Sequence, residues 1–168
     1  KKVYLLDGDL RKPNLYRVFK IKGRRMPLEE VLMGMRERDC VLEQPVKNMW
    51  LIGNTEPVAQ PTVLLDSPQM EALIASLSED ADYVVIDAPP CDVMSDVSVL
   101  QKYAGRVLYV VRQDYAQLQK ILDAVEDLCV TENKLMGYVL NGTAKTAQGY
   151  GKYGYGAYSY GKYGNGYY

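Results

Sequence analysis

Tyr83 to Pro90 reads YVVIDAPP: four apolar residues in a row, three of them β-branched, then an aspartate, then a stop at two prolines. Such a run predicts a short strand buried on both faces, because a strand with one wet face would alternate polar and apolar residues. The prolines lack the N–H that a ladder needs, so the strand ends near Asp87. An acid at that point stands just past the carboxyl end of a buried strand, where open α/β sheets bind their ligands.

Outward from this stretch, three further runs have the same character: VYLL (Val3–Leu6), VLYVV (Val107–Val111) and MGYVL (Met136–Leu140). Met49–Ile52 reads as a weaker strand. Helical patterns lie between them. Pro27–Gly34 opens with proline and acids and closes with glycine. Ser67/Pro68 to about Leu77 places Met70, Leu73, Ile74 and Leu77 on one stripe, and Ser95–Tyr103 and Tyr115 to about Val130 follow suit. Strands alternating with helices imply β-α-β crossovers, a parallel sheet and an α/β domain with helices on both faces.

Composition narrows the class. A chain of 168 residues with a net charge of −1 supports one globular domain and argues against a broadly electrostatic nucleic-acid binder. No apolar run approaches the roughly 20 residues of a membrane helix. Histidine is absent, and Cys40, Cys91 and Cys129 show no CxxC pairing, so zinc or Cys–His chemistry is excluded and free buried thiols in a reducing cytosol are expected. Fifteen tyrosines stand against one tryptophan and one phenylalanine, and eight of them lie from Tyr150 onward. That segment holds glycine, tyrosine, lysine and little else. Residues 1–142 therefore read as the folded domain and 143–168 as a disordered tail, with no aliphatic stripe to bury.

Three strand ends carry polar residues: Asp7, Asp87 and Asn141. The first continues as Asp7-Gly8-Asp9, then Leu10-Arg11-Lys12-Pro13. Two carboxylates there suit hard-oxygen coordination of Mg²⁺ beside a nucleotide phosphate, or one of them suits proton acceptance from a hydroxyl. Asp-Gly-Asp is equally good turn chemistry. Arg11 and Lys12 can neutralise phosphate charge. Asp87 fits a magnesium-side acid, or a cap of the next turn. Asn141 offers an acceptor and two donors for an adenine edge, or a cap. Arg112 ends its strand as a nucleotide-side cation or as a surface charge.

VYLLDGDLRKPNLYRVF resembles the Walker A′ segment of bacterial tyrosine kinases, the polysaccharide-export kinases of the P-loop ATPase superfamily. YVVIDAPPCDVMSD is similar to their Walker B segment, and the terminal tyrosine cluster is their other hallmark. WLIGNTEPVAQPTVLLDSPQMEALIASL resembles the stretch after their middle strand, where a glycine–proline loop precedes a Leu-Leu helix, though with fewer prolines.

The resemblance implies a three-layer, P-loop NTPase-like fold and an ATP- and Mg²⁺-dependent tyrosine autokinase of capsule and exopolysaccharide synthesis. It makes Asp7 the group facing the acceptor hydroxyl, Asp9 and Asp87 magnesium-side carboxylates, and Asn141 an adenine contact, which Arg11 and Arg112 join as nucleotide-side cations by their position and charge alone. Tyr150, Tyr153, Tyr155, Tyr158, Tyr160, Tyr163, Tyr167 and Tyr168 become phosphate acceptors. It further implies a ring-like homo-oligomer with each tail in a neighbour's site. The setting would be cytoplasmic, at the inner face of the membrane, with a membrane-bound polysaccharide co-polymerase as activator. No GxxxxGK(S/T) loop occurs in the 168 residues, and Lys1 is no translation start, so that loop is expected upstream of Val3. The acid motifs are shared with MinD- and ParA-type ATPase switches, which have no use for a tyrosine tail. A truncated phosphoacceptor or scaffold is the non-enzymatic alternative.

Overall fold

The computed structural model describes residues 1–21, 28–35, 43–91, 94–129 and 134–143. In chain order the elements are β1 (Val3–Asp7), α1 (Leu15–Val18), α2 (Leu28–Leu32), β2 (Glu43–Val46), β3 (Met49–Ile52), α3 (Pro61–Leu65) and α4 (Pro68–Asp80). They continue with β4 (Tyr83–Asp87), α5 (Met94–Tyr103), β5 (Val107–Arg112), α6 (Leu118–Cys129) and β6 (Leu135–Asn141). All five strands read from the sequence are present. The tail, with its eight tyrosines, and Pro27 and Cys40 lie outside the described residues, as does the expectation of tail disorder.

The strands pair as a four-stranded sheet in the order β2-β3-β1-β4 and a two-stranded sheet β5-β6. β1 runs parallel to β3, with Leu5 opposite Leu51, and parallel to β4, with Leu5 opposite Val85. β5 and β6 are also parallel, Val110 facing Val139. Strand β2, antiparallel to β3, was not read from the sequence. It folds back on β3 through Lys47–Asn48, where Asn48 takes a left-handed φ of 63°. Pro45 in β2 suits an outer strand, which need not donate on both sides.

The core lies on the face of the four-stranded sheet that carries Tyr4, Leu6 and Ile52, which pack against Leu28 and Leu32 of α2 and Met70, Leu73 and Leu77 of α4. Ser67 starts α4 by accepting from the Met70 N–H (3.2 Å), which satisfies one of the open amides of the first turn. α3 and α5 lie side by side. Gln101 of α5 is buried and donates through Nε2 to the Leu128 carbonyl at the end of α6 (2.7 Å), tying the two helices together.

Burial departs from the expectation on β4–β6. Tyr83 and Val85 on β4, Leu108 and Val110 on β5, and Tyr138 and Leu140 on β6 are exposed, Val110 to 57%. Strands this apolar are two-sided by composition. Among the described residues only one layer covers β4, and none pairs with its edge away from β1.

Candidate active site at the carboxyl ends of the strands

β1 and β4 run parallel and in register, so they deliver their terminal acids together: Asp7 is the ladder partner of Asp87. Gly8 locks the junction, its N–H donating to the Asp87 carbonyl at 2.7 Å. A Cβ on Gly8 would stand 2.8 Å from that same carbonyl oxygen and 2.9 Å from Leu100 Cδ1, so the close approach requires glycine. Gly53, following β3, crowds the site from the other side: a Cβ there would meet the Asp7 Cβ at 2.7 Å.

Asp7 is fully buried. Its Oδ2 accepts from the backbone N–H groups of Asn14 (3.0 Å) and Leu15 (3.1 Å), which open α1. Its Oδ1 is buried without a partner, an arrangement that costs free energy unless something else binds there. Burial pushes the Asp7 carboxyl up to about 6; the Leu15, Asn14 and Asp9 amides pull against this, and the Asp87 charge adds to it. Asp87, exposed at the end of β4, is raised as well, first by partial desolvation against its neighbours and then by the charge of Asp9. Asp87 therefore shares like charge with Asp7 and with Asp9, which favours a proton or a cation beside it.

Asp9 sits in the turn its sequence suggested. Its Oδ1 accepts from the Arg11 (3.2 Å) and Lys12 (2.9 Å) backbone N–H groups, so turn and site readings coincide on one residue. The Arg11 guanidinium lies in a bidentate pair with Asp96, Nε at 2.7 Å and Nη2 at 3.1 Å, and reaches Thr62 Oγ1 at 3.3 Å. Thr62 donates to Asp96 Oδ1 at 2.5 Å. Burial alone would raise the Asp96 carboxyl, but its bonds with Arg11 and Thr62 hold it below the usual carboxylate range.

Asn141 and Arg112 are ladder partners at the ends of β6 and β5. Asn141 Oδ1 accepts from its neighbour Gly142 N–H (2.8 Å), and Arg112 stacks over the Tyr115 ring at 5.3 Å. The predicted set thus falls into two groups, three acids on the larger sheet and an amide–guanidinium pair on the smaller. Sequence reasoning missed Thr62, Asp96, Gly53 and Asn54. Asn54 is buried, caps α2 by accepting from the Glu29 N–H (3.2 Å), and leaves its Nδ2 without a partner. Cys91 is a half-buried thiol that interacts with the Tyr109 hydroxyl.

Among the described residues no three acidic, thiol or imidazole side chains converge as a complete metal cage. Mg²⁺ does not need one: it is commonly held by one or two carboxylates, water and substrate phosphates. The like charges of Asp9 and Asp87 fit that ion, and the unpartnered Asp7 Oδ1 beside them is left open to a hydroxyl.

No family model matches the chain. Among curated proteins it is 30% identical over 151 residues to the tyrosine-protein kinase Ptk of Acinetobacter johnsonii, covering 89% of this chain and 20% of that protein. It is 29% identical to the tyrosine-protein kinase CpsD of Streptococcus pneumoniae, covering 89% of this chain and 66% of that protein. The chain thus spans between about a fifth and two thirds of these relatives. Among solved structures, the kinase domain of the Escherichia coli tyrosine kinase ETK superposes with a TM-score of 0.80 at 26% identity, over 94% of this chain and 62% of that one. MinD of Pyrococcus horikoshii, complexed with Mg-ADP, shares the fold at a TM-score of 0.68, 19% identity and 83% and 57% coverage. The resemblance to bacterial tyrosine kinases read from the motifs is borne out, and so is the mixed α/β, mostly parallel architecture.

Proposed function

We propose that this chain, whose curated relatives are bacterial tyrosine-protein kinases, is the acid-bearing part of an ATP- and Mg²⁺-dependent tyrosine kinase that phosphorylates its own tail. One observation carries the reading: Asp7 and Asp87 are ladder partners, and Asp7 is buried, raised to about 6 and left with one oxygen unpartnered.

A tyrosine hydroxyl, with a pKa near 10, is a poor nucleophile at neutral pH. A carboxylate at about 6 is closer to it in basicity than an ordinary aspartate and is ionised at neutral pH. Asp7 receives the hydroxyl proton as oxygen–phosphorus bonding begins. The Asn14 and Leu15 amides on its other oxygen keep it from rotating away. Asp9 and Asp87 would hold Mg²⁺, which when bound supplies positive charge to the nucleotide phosphates. Phosphoryl transfer needs little else from the protein than position and charge. Asn141 and Arg112 offer an amide and a guanidinium to the nucleotide.

The acceptors are the eight tyrosines between Tyr150 and Tyr168, within a tail that begins at residue 143. Each phosphate adds up to about two negative charges, so successive modification makes the tail self-repelling. In a ring of copies, with each tail in a neighbour's site, that repulsion would release the ring. A membrane-bound polysaccharide co-polymerase is the activator we assign, at the inner face of the membrane. Among the described residues no helix is long and apolar enough to cross a membrane.

The reading needs a phosphate-binding loop, which none of the 168 residues supplies. The test uses a chain carrying such a loop, incubated with ATP and Mg²⁺ and mapped by mass spectrometry. Phosphotyrosine within residues 150–168 supports the reading. ATP hydrolysis without phosphotyrosine supports a MinD-like switch instead, and neither activity supports a scaffold.

A further inference from the structure

Asp96 is an expensive residue to keep. It is a carboxylate without any solvent exposure, on the first turn of α5, and it faces a guanidinium 85 residues earlier in the chain. A buried acid of this kind is tolerated only when its partners are close and well aligned. Here they are: Arg11 contributes two N–H groups in the fork geometry that matches a carboxylate, and Thr62 adds its hydroxyl. Thr62 also accepts from Arg11 Nη2, so the three side chains close a small ring of bonds.

Each comes from a different segment. Arg11 belongs to the turn after β1, Thr62 to α3 and Asp96 to α5. α5 is the helix that follows β4 and Asp87, and Leu100 on it stands against Gly8. The Arg11 backbone N–H in turn donates to Asp9 Oδ1. A continuous path therefore runs from Asp96, through the Arg11 side chain and then its main chain, to the Asp9 carboxylate.

We propose that Asp96, with Thr62, is a positioning residue: it fixes Arg11, and through Arg11 the aim of Asp9 into the site shared with Asp7 and Asp87. The inference rests on the magnesium-side role given to Asp9 under the proposed function. Arg11 acts here as a strut rather than as a phosphate ligand. A lysine in its place keeps the charge but loses the fork, so it cannot hold the carboxylate and the hydroxyl together.

Two readouts separate this from a role in folding alone. In a chain carrying the phosphate-binding loop, half-saturating Mg²⁺ for tail phosphorylation is expected to rise about tenfold in Asp96→Asn, the usual scale for an outer support of a metal ligand. Thr62→Val, a gentler change of equal volume, should show a rise of about threefold, and Thr62→Ser should behave as wild type. In an Asp9→Asn background neither substitution should raise it further, because both act through Asp9.

Mn²⁺ titration of the same proteins by electron paramagnetic resonance, with ADP present, should give the same ranking without any catalysis. If tail phosphorylation is absent but that ranking holds, the kinase reading fails and the positioning role stands. Losses that add to those of Asp9→Asn, an unchanged metal requirement with only a lowered melting temperature, or no Mn²⁺ binding by the wild type would each overturn the positioning role.

Discussion

Asp7 and Asp87 end adjacent parallel strands in register, and the Gly8 N–H bonds the Asp87 carbonyl at 2.7 Å, so the backbone itself sets the spacing of the two acids. Neither side chain has to reach for the other. The site is a property of the ladder, and changes to the ladder should be felt in the site.

Gly8→Ala is the sharpest such change. Its Cβ would fall 2.8 Å from a backbone oxygen that cannot swing aside, and 3.1 Å from Ile86 Cγ2. Overpacking of this kind costs about 1–3 kcal/mol. A Cβ on Gly105 meets nothing within 4 Å, so Gly105→Ala should stay within about 0.5 kcal/mol of wild type. Urea denaturation of both variants checks this, and equal midpoints would show that the junction is looser than described.

Asp7 should make the fold pH-sensitive in a direction opposite to that of most aspartates. Its carboxyl lies at about 6 against an ordinary 3.8, so the folded chain binds this proton more tightly than the unfolded chain. That stability is complete below pH 3.8 and is lost as pH rises through about 6. Asp87, also raised, contributes with the same sign. Asp7→Asn removes the larger part, so without ligand it should be more stable than wild type at pH 7.5 by about 1–2 kcal/mol. Near pH 4 the two should converge. Melts at both pH values decide it, and a constant difference between the variants would contradict the assignment.

Asp87→Asn should separate metal from base. It keeps volume and ladder but removes a charge from the proposed magnesium side. Mg²⁺-dependent ADP affinity should fall roughly tenfold or more, while affinity measured in EDTA should hardly change. Isothermal titration with and without Mg²⁺ distinguishes the two. Equal losses in both conditions would mean that Asp87 serves packing alone.

The elements that positioned Asp7 and Asp87 were legible because β1 and β4 are continuous apolar runs that stop at an acid. β2 was not: Glu43-Gln-Pro-Val46 has no apolar period and exists as a strand through its antiparallel pairing with β3. α6 starts at Leu118, three residues later than its periodicity suggests. Asp114 turns left-handed at φ 58° and Tyr115 is drawn onto Arg112. The division of the strands into two ladders leaves no trace in hydropathy, since the same apolar runs satisfy either pairing. Asp96 and Thr62 were invisible for a related reason. A buried acid is recognised by its partner, and Arg11 stands 85 residues from Asp96 in the chain.

The most direct test of the central claim compares three proteins that each carry a phosphate-binding loop ahead of β1: wild type, Asp7→Asn, and a variant with all eight tyrosines from Tyr150 to Tyr168 changed to phenylalanine. Each is incubated with ATP and Mg²⁺, phosphotyrosine is counted by mass spectrometry, and nucleotide affinity is measured in parallel. Wild type should gain phosphate on the tail. The phenylalanine variant should lose most incorporation with its nucleotide site intact. Asp7→Asn should lose transfer by about 10²-fold or more while binding nucleotide nearly as well, since it removes a proton acceptor and preserves size. Undiminished phosphotyrosine in Asp7→Asn would contradict the role assigned to the buried carboxylate.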